Sequence, residues 1–291
     1  MIRPPYLSDK AIHQFIDAAL AEDIGEGDHT TLGSISRDTP CSARLLVKDD
    51  GRVAGLELAE KIFHRFDPGL RVEFFKKDGD EIKKGDVAFV VHGSARSILS
   101  TERLVLNCLQ RMSGIATHTD KLCRLLHGTK THLMDTRKTT PNFRLPEKWA
   151  VAIGGGKNHR FALYDMVMLK DNHIDLAGGI QSAIENVKKY LNEKHSQLKI
   201  EIETRTLGEV EEVLRTGGVD VIMLDNMSMD DMKKAVDRIA GQCKTEASGG
   251  ITEATLRAVA DCGVDYVSVG ALTHSVKSLD LSLKVVATKG N

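Results

Sequence analysis

Positively charged side chains concentrate in the segment from Asp135 to Lys170 of the 291-residue chain. Arginine pairs a carboxylate through two parallel hydrogen bonds, whereas lysine acts as a point charge that suits phosphate. The mixture predicts a pocket for one ligand with carboxylates beside another with phosphates. Three carboxylates in the segment stand against seven fixed positive charges, at Arg137, Lys138, Arg144, Lys148, Lys157, Arg160 and Lys170. Lys148 and Lys157 are left out of the pocket because a solvated loop explains them equally well.

Two carboxylates, Glu203 and Asp225, close consecutive predicted strands. Neighbouring strands lie about 4.8 Å apart, so both carboxylates can reach one ligand. They could accept hydrogen bonds from sugar hydroxyls or hold Mg²⁺, directly or through water. A pair of helix N-caps is the plainer interpretation, above all for Asp225. Glu201 alternates with Glu203 and points the same way from its strand, and the sequence leaves its role open.

A third group consists of residues with small side chains. Ser248, Gly249 and Gly250 precede a predicted helix, and Gly270 closes the next predicted strand. Glycines let backbone N–H groups approach an anion, and the N-terminus of a helix adds its dipole. Barrels often bind phosphate with their last two loops. The group therefore predicts a phosphate site, with plain turn chemistry as the alternative.

The glycine run at 154–156, followed by Lys157, fits neither common phosphate-binding motif. Val151 and Asn158 break the Walker A pattern, and His159 stands where the dinucleotide pattern needs its last glycine. We interpret the run as a mobile hinge or lid.

The elements that must position these groups are short apolar strands in the second half. Near-continuous apolar strands are typical of a parallel sheet that is buried on both faces. The last four predicted strands end at intervals of 22, 23 and 22 residues, which suits a strand, a crossover helix and two short loops. We expect an α/β fold with an incomplete (β/α) barrel, and an open doubly wound sheet is the alternative. The predicted strands are 132–134, 166–169, 200–202, 221–224, 245–247 and 266–269, and the predicted helices are 207–216, 229–240 and 252–262.

The first half has a different pattern, with a helix at 8–22 and then a small sheet. Short β-favouring runs at 45–47, 72–75 and 87–91 are separated by turns rich in Asp, Gly and Lys. A helix from about Ser100 carries apolar residues on one side and is expected to end near Gly114.

Composition limits the class of protein. Apolar content of 41% and charged content of 28% are ordinary for a globular chain, and a net charge of −1 gives no global field that would recruit nucleic acid or a membrane. The chain has no signal-peptide h-region and no apolar run of about 20 residues. Five widely spaced cysteines without a C-x-x-C motif predict free thiols, no structural zinc and a cytoplasmic location.

Several sequence motifs together resemble the quinolinate phosphoribosyltransferase family, also called the nicotinate-nucleotide pyrophosphorylases (carboxylating). They cover most of the chain and are highly specific in combination. The matching stretches are 22–28, 101–103, 110–117, 135–141, 155–160, 169–173, 201–203, 224–226, 246–251 and 269–274.

The resemblance implies a smaller N-terminal α/β sandwich domain at 1–115, joined by the C-terminal tail 276–291, and an incomplete barrel with the active site at 116–275. It also implies a homodimer, open to further assembly, with Arg103 contributed by the partner subunit. The family converts quinolinate and phosphoribosyl pyrophosphate into nicotinate mononucleotide, pyrophosphate and CO₂, with Mg²⁺ as cofactor.

The implied site residues follow the chemistry of the two substrates. The carboxylates of quinolinate are expected to bind Arg103, Arg137, His159, Arg160 and Lys170. The pyrophosphate is expected to bind Lys138, Mg²⁺ and His274, and the 5-phosphate Ser248, Gly249, Gly250 and Gly270. Glu203 and Asp225 are expected to hold the ribose hydroxyls and Mg²⁺, and the expected catalytic set is Lys138, Lys170, Glu203 and Asp225.

Two alternatives stay open. One is a paralogue of the same fold with another substrate, such as nicotinate. The other is a carrier or binding module, because residues 71–91 resemble the hairpin turns of biotinyl and lipoyl domains. A carrier would leave the barrel half unexplained.

Overall fold

The computed structural model describes residues 4–286. These residues form two compact units. The first contains the described residues up to Asp120, the segment Thr139–Gly155, and the described residues from Ala271 onward. The second contains Lys121–Lys138 and Gly156–Gly270. The domain boundaries at 115/116 and 275/276 stay a prediction.

The first unit is built on an antiparallel sheet of four strands in the order β12 (Leu281–Val285), β1 (Pro40–Val47), β5 (Val87–Ser94), β3 (Arg71–Phe74). The predicted first helix is confirmed: it begins after Ser8, whose side chain accepts a hydrogen bond from the backbone N–H of Ala11, and it buries Ile12 and Ile16. Residues 287–291 of the predicted tail lie outside the described residues, but the preceding strand pairs with β1. The elements are α1 Asp9–Ile24, α2 His29–Ser34, β1 Pro40–Val47, β2 Gly51–Arg52, α3 Leu56–Phe66, β3 Arg71–Phe74, β4 Glu81–Ile82, β5 Val87–Ser94, α4 Ala95–Leu125, α5 Arg144–Ile153, α11 Ala271–His274 and β12 Leu281–Val285.

The predicted bounds of the long helix are wrong at both ends. Helix α4 begins at Ala95 and continues through Gly114 to Leu125. A Cβ atom at Gly114 would collide with the backbone carbonyl oxygen of Lys277. The glycine therefore permits a close approach of two backbones and does not end the helix. The earlier start places Arg103 in the third turn of α4, where it is exposed.

The solvated loop expected at Lys148 is also wrong, because this lysine is buried in helix α5. The helix is anchored by Glu147, which is fully buried and accepts hydrogen bonds from Nε and Nη2 of Arg111 at 3.1 and 2.9 Å. Arg111 donates further bonds to the backbone oxygens of Thr273 and Val276. The ion pair thus joins α4 to α5, and the hydrogen bonds of Arg111 join both helices to α11 and to the residues that follow it.

The second unit contains a parallel sheet of six strands in the order β6, β11, β10, β9, β8, β7. All six predicted strands and the three predicted crossover helices are confirmed, with ends that shift by a few residues. Strands β6 and β7 form the two edges, and no pairing between them closes the sheet within residues 4–286. The elements are β6 His132–Met134, β7 Val167–Leu169, α6 Asp171–Ala177, α7 Ile180–Glu193, β8 Ile200–Thr204, α8 Leu207–Thr216, β9 Val221–Asp225, α9 Met229–Ile239, β10 Lys244–Ser248, α10 Glu253–Ala260 and β11 Tyr266–Ser268.

None of the helices between residues 4 and 286 combines the length and the apolar character needed to cross a bilayer.

Candidate active site

The register of the parallel sheet brings four predicted site residues to one face at its carboxyl edge. Glu203 pairs with Met223, two residues before Asp225, and Ser248 pairs with Asp225. Paired residues of parallel strands point to the same face, as do residues two apart on one strand. Lys170, which follows β7, joins them through its Nζ, 2.6 Å from Oε1 of Glu203. The predicted convergence of lysine, carboxylates and serine is therefore present.

Asn226, the residue after β9, connects Asp225 to the end of strand β10. Its Nδ2 donates to Oδ2 of Asp225 at 2.8 Å, and its backbone N–H donates to the carbonyl of Ser248 at 2.9 Å. A Cβ atom on Gly249 would collide with the amide of Asn226, and Gly249 has φ +93°. Only glycine suits this position, both for backbone conformation and for space. The sequence motif contained Asn226, but its positioning role emerges from the contacts.

The guanidinium groups of Arg137 and Arg160 lie close enough for one charge to act on the other. Burial is the main cause that lowers the pKa of Arg160, and the positive charge of Arg137 lowers it further. Nη1 of Arg160 also donates to the carbonyl of Met166 at 3.1 Å, which fixes the side chain. Like charges held together in a partly buried place favour an anionic ligand, because a carboxylate relieves their repulsion.

Asp135 anchors the loop that carries Arg160. It is fully buried, and its carboxylate accepts hydrogen bonds from Nδ2 of Asn158 at 2.6 Å and from the backbone N–H of His159 at 2.9 Å. The backbone of Lys157 continues the sheet by pairing with Met134. Residues 157–160 are thus attached at several points to β6 and to Asp135, which follows it. Asp135 therefore positions this loop, a role that was not predicted from the sequence.

His159 points into the interior of the sheet. Its side chain is 6% exposed, and its Nε2 lies 2.9 Å from Oε2 of Glu201 and 3.6 Å from Oε2 of Glu246. The direct contact with quinolinate that the resemblance implies stays a prediction, since in this conformation both ring nitrogens face protein groups. Burial, the larger cause, and the neighbouring Glu201 carboxylate together raise the pKa of Glu246 to about 8. Burial likewise raises the pKa of Glu201 to about 7.

The cluster of His159, Glu201 and Glu246 was not predicted from the sequence, although the sequence contains a signal for it. Glu201 and Glu246 are charged residues in the middle of otherwise apolar strands, where a lone carboxylate is costly unless it is paired or protonated. The alternation of Glu201 with Glu203 already placed both on one face.

Other predicted site residues are placed as follows. Lys138 is exposed just after the β6 edge, and its backbone N–H donates to Oγ1 of Thr136 at 3.0 Å. Gly250 has φ +60° with open space around it, and Gly270 lies two residues after the end of β11. Arg103 and His274 belong to the first unit and are exposed there. The assignment of these residues to the site stays a prediction.

A divalent cation suits the donors at the carboxyl edge. Glu203 and Asp225 supply carboxylate oxygens, the ligand type that Mg²⁺ prefers. Both are only partly buried, so ligand exchange from solvent is possible. These two residues fit the metal that the resemblance implies.

Comparisons with known proteins agree along the whole chain. The family model for the C-terminal domain of quinolinate phosphoribosyl transferase matches residues 115–284, and the model for its N-terminal domain matches residues 28–113. The chain is 46% identical to a quinolinate phosphoribosyltransferase [decarboxylating] 2, mitochondrial, of Nicotiana glauca, over 98% of this chain and 85% of that protein. It is 45% identical to a probable nicotinate-nucleotide pyrophosphorylase [carboxylating] of Bacillus subtilis, over 91% and 90% of the two chains.

Solved structures show the same fold. The nicotinate-nucleotide pyrophosphorylase of Francisella tularensis superimposes with a TM-score of 0.88 at 36% identity, over 96% of this chain and 98% of that one. The predicted α/β class, with an antiparallel-sheet domain and a six-stranded parallel domain, is confirmed. The chain therefore belongs to the quinolinate phosphoribosyltransferase family, the decarboxylating pentosyltransferases of NAD biosynthesis.

Proposed function

We propose that this chain transfers the phosphoribosyl group of phosphoribosyl pyrophosphate to quinolinate and releases pyrophosphate and CO₂, giving nicotinate mononucleotide. One observation carries the proposal: the Lys170–Glu203 ion pair lies where a set of basic residues meets a set of acidic residues at the carboxyl edge of the sheet. Arg137 and Arg160 lie among the cations, and Asp225 lies with Glu203 on the acidic side. Two substrates with different polar groups can then be bound side by side.

The cationic side suits quinolinate. Its two carboxylates would pair with Arg137 and Arg160, and Lys170 would move from Glu203 to the substrate. Holding the ring in this way aims its nitrogen at C1 of the ribosyl group, and such positioning supplies much of the rate enhancement.

The acidic and glycine-rich side suits the phosphoribosyl donor. Glu203 and Asp225 would accept hydrogen bonds from the ribose hydroxyls, and the backbone at 248–250 would receive the 5-phosphate. A Mg²⁺ ion held by Glu203 and Asp225 would supply charge neutralisation for the pyrophosphate. Lys138 is exposed and long enough to share this task.

The chemistry needs no covalent intermediate with the protein. The ring nitrogen attacks as the bond from C1 to the pyrophosphate breaks, and the C1 centre gains oxocarbenium character. The product ring carries a positive charge, which stabilises the electron pair left when the 2-carboxylate departs as CO₂. A proton from solvent then adds at C2 and completes nicotinate mononucleotide, and the fixed cations contribute electrostatic stabilisation.

A homodimer with Arg103 reaching into the partner's site is part of the proposal. Arg103 is exposed on α4, so a second chain can reach it. A cytoplasmic location is proposed as well, since the five cysteines are all free thiols, which suits a reducing compartment.

The carrier alternative finds little support at its key turn. Asp78 accepts hydrogen bonds from the backbone N–H groups of Gly55, Leu56 and Glu57 and so caps helix α3. A turn that fixes a helix N-terminus serves the fold, whereas a carrier hairpin must present its lysine freely.

The decisive experiment incubates the purified chain with quinolinate, phosphoribosyl pyrophosphate and Mg²⁺ and follows nicotinate mononucleotide and CO₂. Both products are expected in equal amounts. A parallel reaction with nicotinate in place of quinolinate distinguishes the paralogue, because turnover of nicotinate alone, without CO₂, would replace the proposal.

A further inference from the structure

Three titratable side chains meet in the interior of the parallel sheet, one layer below the carboxyl edge. His159 enters from the loop after β6, and its Nε2 lies 2.9 Å from Glu201 and 3.6 Å from Glu246. Both glutamates are 1% exposed, and each lies close enough to the other to shift its pKa. Buried carboxylates of this kind are costly, so their presence calls for a function or a counter-charge.

The ring of His159 connects these carboxylates to Arg160. The backbone N–H of Arg160 donates to Nδ1 of His159 at 2.7 Å, so Nδ1 is an acceptor and the ring proton is on Nε2. That proton faces Glu201 and Glu246. The backbone N–H of Arg160 thus selects the tautomer, the two carboxylates lie against the nitrogen that carries the proton, and the ring is tied to the backbone at Arg160.

We propose that Glu246 and Glu201 are positioning residues that act through His159 to orient Arg160 for the carboxylates of quinolinate. This inference rests on the proposed function of Arg160. It assigns to the buried glutamates a contribution to substrate recognition without any contact with substrate. Asp135 holds the same loop through the backbone N–H of His159, and the carbonyl of Met166 holds the guanidinium group, so the ring of His159 acts together with two other contacts.

The same three side chains also have the donor types of a site for a divalent metal. The charges around them oppose that interpretation. Arg160 lies close enough for its charge to affect Glu201, and the cavity beside the cluster is lined by three lysines, Lys157, Lys199 and Lys244, against one further carboxylate, that of Asp220. Positive groups already balance the carboxylates and repel an entering cation, so positioning is favoured and metal binding becomes an outcome of the test.

The test compares three variants in steady-state kinetics with both substrates. Glu246→Leu removes the polar partner of His159 and is expected to raise KM for quinolinate on the order of tenfold, because small misplacements of a binding group are costly. KM for phosphoribosyl pyrophosphate should stay within about twofold. Glu246→Gln keeps a polar side chain of the same shape and is expected to restore most of the quinolinate affinity at about pH 7. Thr245→Val is the matched control, since Thr245 is buried on the opposite face of the same strand and contacts Asp265.

Equal changes in both KM values, or the same pattern in Thr245→Val, would overturn the inference in favour of general loosening of the fold. If Glu246→Leu does not fold, Glu246→Ala takes its place, with circular dichroism to verify the fold. Equilibrium dialysis against Zn²⁺ and Mn²⁺ that finds one tightly held ion in the unaltered protein and none in Glu246→Gln would also overturn it. Failure of the proposed function is distinguishable, because the unaltered protein would then form no nicotinate mononucleotide.

Discussion

Nζ of Lys170 lies 2.6 Å from Oε1 of Glu203, and the two residues sit at the ends of strands that pair in parallel. Lys170 is 44% exposed in its side chain, whereas Glu203 is 14% exposed. The lysine therefore has the freedom to turn toward an incoming anion, and Glu203 would then be released for hydroxyl groups or a cation. The pair stands at the boundary between the regions proposed for the two substrates.

Replacement of Arg137 tests the cationic side. Arg137→Ala is expected to weaken quinolinate binding by roughly 100-fold, the size of effect seen when one partner of a desolvated charge pair is removed. The affinity for phosphoribosyl pyrophosphate should change little. Isothermal titration with each substrate measures both constants, and equal losses in the two would contradict the assignment.

Mixing two inactive variants tests the shared site. Arg103→Ala and Lys170→Ala are each expected to be inactive as pure proteins. After the two variants are mixed in equal amounts and exchange subunits, the mixture should recover about a quarter of the unaltered activity, because about half of the dimers are mixed and each of these has one intact site of two. Exchange is followed with fluorescent labels, and exchange without recovered activity would argue against a contribution from the partner.

Gly249 offers a sharp test of the phosphate side. Gly249→Ala must place its Cβ against the amide of Asn226 at a positive φ, so it should displace Asn226 and Asp225 and weaken binding of phosphoribosyl pyrophosphate. Gly241→Ala is the control, because Gly241 also has a positive φ, +77°, but has open space around it. Both variants therefore carry a backbone strain of about 1 kcal/mol, and only Gly249→Ala adds a collision. Similar affinities in the two variants would show that the contact with Asn226 is unimportant.

The Arg111–Glu147 pair is expected to stabilise the first unit. Glu147→Ala leaves a charge of Arg111 without its buried partner, and about 3 kcal/mol of unfolding free energy should be lost. Glu211→Ala, which removes the exposed partner of Arg238, should cost less than about 1 kcal/mol. Urea unfolding of both variants provides the measurement, and comparable losses would show that burial does not distinguish the pairs.

The pKa of Glu246 predicts a pH dependence of stability. The folded protein binds this proton more tightly than the unfolded chain, because burial raises the pKa from 4.5 to about 8. The contribution to stability is complete below the unfolded value and is lost as the pH rises through the folded value. Glu246→Gln cannot ionise, so its thermal midpoint should fall less than that of the unaltered protein between about pH 6 and about pH 9. Parallel curves for the two proteins would refute the prediction.

Local pattern and spacing were sufficient for much of this protein. The apolar runs, the turn residues between them and the regular interval between strand ends predicted the six parallel strands and their crossover helices. The same reasoning placed Lys170, Glu203, Asp225 and Ser248 at strand ends. These features depend on neighbours in the chain, and a period of two or of 3.6 residues is visible in the sequence itself.

Only the tertiary structure decided which charged residues are buried and which glycines are crowded. The side chain of Lys148 is buried, and Gly114 lies within a helix against the backbone of Lys277. Glu201 and Glu246 lie on the same face of the sheet, and His159 contacts both. Each of these facts depends on a partner that is distant in sequence. The free energy of a buried charge or a close backbone contact is set by that partner, and the pairing exists only once the chain has folded.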